Sequence, residues 1–97
     1  MEKKSKSYPL NFFNNKKIVI TGINGFKGFW LYLLLDNLGA EVSGVGLKSR
    51  SFPILNKFTF KKKIFDNIDI NNFRKFRDYI ISKNPDIIFH LASESLV

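Results

Sequence analysis

The chain has 97 residues, 44% of them hydrophobic, and its 16 basic side chains against 8 acidic ones give a formal charge of +8. That length supports one domain with a core of its own and excludes a two-domain enzyme, while the apolar content excludes a chain disordered throughout. With no cysteine, a disulfide scaffold, a thiolate metal site and a cysteine nucleophile are also excluded. The longest apolar run, Phe29 to Leu35, is far shorter than the roughly 20 residues of a membrane span. The basic N-terminus is not followed by the apolar core of a signal peptide. The chain therefore reads as soluble and cytoplasmic, with no membrane partner.

Residues 1–10 read as a flexible basic tail ending near Pro9. Lys16 to Gly22 is a short β-branched run closed by a glycine, the pattern of a buried parallel strand. Gly22, Gly25 and Gly28 then recur at three-residue intervals before an apolar stretch from Phe29 to Leu38. Leu31, Leu34, Leu35 and Leu38 fall on one helical stripe, and Gly39 stands where such a helix would end. Ala40 to Gly46 reads as a second strand, which completes a βαβ unit.

Residues 47–63 form a loop, interrupted by Pro53, in which Lys48, Arg50, Lys57, Lys61, Lys62 and Lys63 meet no acid. Such a run is more often a solvated face than a patch for an anionic partner. Lysine, asparagine, isoleucine and phenylalanine make up 45 of the 97 residues, the imprint of AT-rich codons rather than of nucleic-acid binding. A short third strand is expected around Ile64-Phe65, then an amphipathic helix from Asn71 to Lys83 stopped by Pro85. Asp86 to Ala92 reads as a further buried strand, with His90 facing the interior. The helix after the glycines is apolar nearly all round and the last strand would be a bare edge. Both suggest that the chain is part of a larger sheet.

The segment that carries chemistry is Thr21-Gly22-Ile23-Asn24-Gly25-Phe26-Lys27-Gly28, set between strand and helix. Glycines there allow a tight turn, let backbone N–H groups approach a diphosphate, and let helix and strand touch. The helix N-terminus adds partial positive charge. A triphosphatase phosphate loop is excluded on spacing, because Lys27 follows Phe26 and no Ser or Thr comes next.

The Gly-x-x-Gly-x-x-Gly spacing resembles the extended short-chain dehydrogenase/reductases, the NAD-dependent epimerase/dehydratase family. Gly25-Phe26-Lys27-Gly28, followed by Trp30 and Leu31, is similar to the start of CDP-glucose 4,6-dehydratases. The likeness holds its register through Phe12 to Lys17, Asp69-Ile70, Lys83 to Ala92 and Leu96-Val97, over residues 11–97. It covers the first quarter to third of that family's length.

It implies an α/β fold: the N-terminal half of a Rossmann-type doubly wound parallel sheet, strand order 3-2-1-4, ending after the fourth strand. It implies NAD as cofactor, with Gly22, Asn24, Gly25, Phe26, Lys27 and Gly28 around the diphosphate. Asp69 would accept from the adenine amino group, Ile70 would pack on the ring, and Leu91, Ala92 and Ser93 would pass beneath the riboses. For Asp69 the plainer alternative is a turn or N-cap residue ahead of the second helix.

After the second strand the expected acid is absent, and Lys48, Ser49 and Arg50 stand there instead. Cations at this place, Lys48 first, could favour a 2′-phosphate and hence NADP; the resemblance favours NAD. Glu94-Ser95 also departs from the family's pattern.

Tyr79-Ile80-Ile81-Ser82-Lys83 matches the family's Tyr-x-x-x-Lys catalytic pattern by letter. Its helix precedes the fourth strand, whereas the catalytic pair belongs to a later helix, so the two are expected to be surface residues. No catalytic and no metal-ligating residue is assigned. The activity implied is dehydration of CDP-glucose to its 4-keto-6-deoxy form, in which NAD takes a hydride from C4 and returns it to C6. The groups for it lie outside this stretch, so the chain alone is expected to be inactive. A nucleotide-sugar substrate and a homodimer are expected only of the full-length family. The alternatives are a fragment of another nucleotide-sugar epimerase/dehydratase, a non-enzymatic nucleotide-binding remnant, and a basic RNA-binding domain that would use Phe58 and Phe60.

Overall fold

A computed structural model describes residues 10–53, 55 and 63–92. Four parallel strands, β1 (Lys17–Thr21), β2 (Glu41–Gly46), β3 (Asp66–Asn67) and β4 (Ile87–His90), form one sheet in the order β3-β2-β1-β4. This is the expected α/β arrangement with strand order 3-2-1-4. Helix α1 (Phe26–Asn37) joins β1 to β2, and α2 (Phe73–Lys83) leads into β4.

The β-branched run explains why β1 is central. Ile18, Val19 and Ile20 are each buried, flanked by strands on both edges and covered on both faces. Alternation divides them: Ile18 and Ile20 pack with Phe29, Tyr32 and Leu35 of α1, whereas Val19 packs with Val45 and Tyr79 on the α2 side. The register places Thr21 level with Val45 on one side and His90 on the other. The carboxyl ends of three strands therefore meet at the glycine turn.

The expected leucine stripe is not the face that packs. Gly28, Phe29, Tyr32 and Leu35 face the sheet, while Leu31 and Leu38 are half-buried and Leu34 is 55% exposed. α1 begins at Phe26, three residues before the apolar stretch, and a close approach between Gly28 and Gly22 sets its rotation. Phe26, Trp30 and Leu34 consequently line the outer side at i, i+4, i+8. At the other end Gly39, at φ +88°, lets its own N–H reach Asp36 O and that of Ala40 reach Leu35 O, both at 3.1 Å.

β3 lies two residues beyond the expected place. Ile64 turns into the core beside Val42 and Leu55, and the ladder starts only at Asp66, opposite Val45. Apolar character located the burial there, not the pairing. α2 starts at Phe73 rather than Asn71, because the Asn72 side chain caps it by accepting the Lys75 N–H at 3.2 Å. It ends at Asn84, whose left-handed φ of +47° turns the chain into Pro85. β4 is anchored at its start by Asp86, whose carboxylate accepts the Lys17 N–H at 2.8 Å. Its residues alternate between half-buried and exposed, and among the described residues no strand covers its outer edge. No helix among the described residues is long and apolar enough to cross a membrane.

Candidate functional site

A cleft of about 340 Å³ opens at the carboxyl ends of the strands. The chain steps from β1 to β2 in one direction, and β4 lies on the other side of β1. A crevice at such a reversal is where open α/β sheets bind ligands.

Gly22, at φ +75°, turns the chain out of β1, and its N–H donates to Val45 O at 2.8 Å. A Cβ there would stand 2.8 Å from the Ala92 nitrogen, so only glycine lets the turn lie against the end of β4. A Cβ on Gly28 would collide with Gly22 O, which explains how the helix comes so close to the strand. Thr21, fully buried, holds the same junction through its hydroxyl, which accepts the Ala92 N–H at 3.0 Å and meets His90 Nδ1 at 2.8 Å. His90 itself is exposed rather than interior, since β4 is the outermost strand.

No side chain caps α1, whose N-cap is Gly25, and its first turn holds no acid. Its free N–H groups and macrodipole leave partial positive charge at the cleft. Gly22, Asn24, Gly25, Asp69, Ile70, Leu91 and Ala92 line the cleft. Phe26, Lys27, Gly28 and Lys48 are not in its lining, and Ser93 lies outside the described residues. Phe26 and Lys27 are exposed on the first turn of α1, and Gly28 is packed against Gly22.

Asp69 is a turn residue in local geometry: Oδ1 accepts the Asn71 N–H at 2.9 Å, and Asn72, not Asp69, caps α2. It also lines the cleft, so the two readings of this residue are compatible.

Gly46, Leu47, Arg50, Ile68 and Asn71 complete the lining and were not singled out as site residues from the sequence. The cations after β2 are the sequence signal for this part of the lining, and it is Arg50, not Lys48, that reaches the cleft. Lys48 is held on a 3-10 turn (Lys48–Arg50) by its N–H, which donates to Asn67 Oδ1 at 2.9 Å. Lys57, Lys61, Lys62, Phe58, Phe60, Glu94 and Ser95 lie outside the described residues.

Tyr79 and Lys83 are not in the lining of this cleft. Tyr79 is no surface residue: it is 7% exposed, packs on Val19 and Val45, and donates to Gly44 O at 3.2 Å. Burial first, then the Asp66 carboxylate, pushes its phenol up to about 12 against the pull of Ser43, and Lys83 lies over its ring at 5.6 Å. Such a phenol is poorly suited to proton transfer near neutrality. Among the described residues no group of three or more His, Cys, Asp or Glu could hold a metal ion.

The model of the NAD dependent epimerase/dehydratase family matches residues 18–97. The chain belongs to that family. Within it, the chain is 37% identical over 89 residues to a CDP-glucose 4,6-dehydratase of Salmonella typhimurium, covering 90% of this chain and 25% of that protein. The fold is similar to that of epimerase Mth375 from Methanothermobacter thermautotrophicus, with a TM-score of 0.73 and 26% identity over 88% of this chain and 25% of that one. A structure from Burkholderia cenocepacia J2315, at 19% identity and a TM-score of 0.64, covers 86% of this chain and 27% of its own and shares the fold alone. The chain thus spans about a quarter of the length of each of the proteins it matches.

Proposed function

We propose that residues 11–97 form the NAD-binding front part of a nucleotide-sugar 4,6-dehydratase, with CDP-glucose as the substrate of the whole enzyme. The observation that carries this reading is that the N-terminus of α1, with no side-chain cap, opens on a cleft that Asp69 and Ile70 also line. A diphosphate beside Gly25 to Lys27 would meet free N–H donors and the helix dipole. Asp69 offers a carboxylate for an adenine amino group, Ile70 an apolar surface for the ring, and Leu91 and Ala92 a floor for the riboses. The 37% identity to a CDP-glucose 4,6-dehydratase supports the choice of substrate.

Bound NAD supplies hydride acceptance and return, while the protein supplies placement and acid–base groups. That Tyr79 and Lys83 line a different pocket from the cleft supports the reading that this stretch binds cofactor without turning over a sugar nucleotide. Reaction, substrate recognition and dimer contacts belong to the remaining length of such an enzyme, which acts in the cytoplasm. NAD rather than NADP is proposed as the partner, and RNA is not.

The test is thermal melting and calorimetry of the 97-residue chain with NAD, NADP and an RNA oligonucleotide. NAD at millimolar concentration should raise the melting temperature, by mass action on the folded state. No rise with either dinucleotide, or tight and steeply salt-dependent RNA binding indifferent to NAD, would overturn the reading.

A further inference from the structure

Asn24 is 2% exposed, and its side chain is spent inside the protein. Its amide nitrogen donates to Leu47 O at 2.7 Å and to Ser51 Oγ at 2.9 Å, while its backbone carbonyl accepts the Phe52 N–H at 3.1 Å. These are both ends of the turn that follows β2. Leu47 O also accepts the Arg50 N–H at 2.8 Å, so one carbonyl closes the turn and fastens it to the glycine loop. Gly46 makes room for this, because a Cβ there would strike Asn24 Oδ1. With both amide hydrogens engaged, the Asn24 side chain has no donor to offer a phosphate.

We infer that Asn24 is a positioning residue: it latches the Leu47–Ser51 turn to the glycine loop and thereby sets how the cleft discriminates at the ribose 2′ position of a dinucleotide. The inference rests on the proposed dinucleotide site and adds a role within it. The turn after the second strand is where a 2′-hydroxyl or 2′-phosphate is met in such sheets. Here that turn carries Arg50 on the cleft wall. Asn67 holds its other side through the Lys48 N–H, so the turn is gripped from β3 as well as from the glycine loop. Releasing the Asn24 grip leaves Arg50 and the other lining residues chemically unchanged but frees the turn that carries Arg50.

The readout is the ratio of dissociation constants for NAD and NADP, measured with the 97-residue chain and with Asn24→Ala and Ser51→Ala. Loss of both side-chain bonds in Asn24→Ala should move that ratio by about tenfold toward parity. Ser51→Ala keeps the Leu47 bond and should move it the same way by less. If both dinucleotides weaken by one common factor, or neither changes, Asn24 is structural only and the inference fails while the dinucleotide site stands. Should Asn24→Ala fail to fold, an unmoved ratio in Ser51→Ala overturns the inference. A parent chain that binds neither dinucleotide overturns both the latch and the site.

Discussion

Tyr79 shows at the scale of one residue how a catalytic pattern can be spelled without its environment. A tyrosine that transfers a proton near neutrality needs its phenol brought down and open to substrate. Tyr79 is enclosed against Val19 and Val45, its hydroxyl donates to Gly44 O, and its phenol is pushed up to about 12. An unfolded tyrosine titrates near 10, so the folded state favours the neutral form. The stability gained in this way is complete below the unfolded value and is lost as the pH rises through the folded one. Tyr79→Phe should therefore lose stability less steeply than the parent between about pH 10 and 12. It should also cost about 1 kcal/mol at neutral pH through the vanished hydrogen bond, and leave cofactor binding unchanged. Urea melts across that range and one titration with NAD check all three; equal slopes in the two proteins would contradict the assignment.

Among the elements, the helix ends depend on asparagine and glycine rather than on apolar pattern. Asn72 supplies the side-chain cap of α2, and Asn72→Ala should cost about 1 kcal/mol, read as a lower melting temperature with unaltered dinucleotide preference. Strand, turn, helix and strand order could be read from the β-branched run, the three glycines and Pro85, because each acts through local backbone geometry. The packing face of α1 could not. With Phe26, Phe29, Trp30, Tyr32 and four leucines distributed around it, periodicity names no single side, and the Gly22–Gly28 contact decides. The same holds for the cleft. Its glycine side was legible as a motif, whereas Ile68, Asn71 and Arg50 reach it through tertiary placement that leaves no mark in spacing. Phe26, Trp30 and Leu34 of α1 are exposed, and among the described residues no strand pairs with the outer edge of β4.

At the scale of the whole molecule, β1 is completed by strands from very different places in the chain. It pairs with β2 about twenty residues on, but with β4 only after some seventy, Ile18 lying opposite Ile87. Closing so long a loop loses chain entropy before the strand contacts offset it, which makes such topologies slow to form. Refolding of the chain should accordingly lie toward the slow end of small two-state domains, in milliseconds to seconds; stopped-flow tryptophan emission from Trp30 would follow it, and a microsecond phase of full amplitude would contradict the expectation. The same register has a consequence during synthesis. β2 ends at Gly46 and β4 begins at Ile87, so at about 5–20 residues per second the ribosome needs roughly 2–8 s to supply the missing neighbour. Through that interval the nascent βαβ unit carries the open flank of β1, with Ile18 and Ile20 along it, as a pairing edge exposed to neighbouring chains.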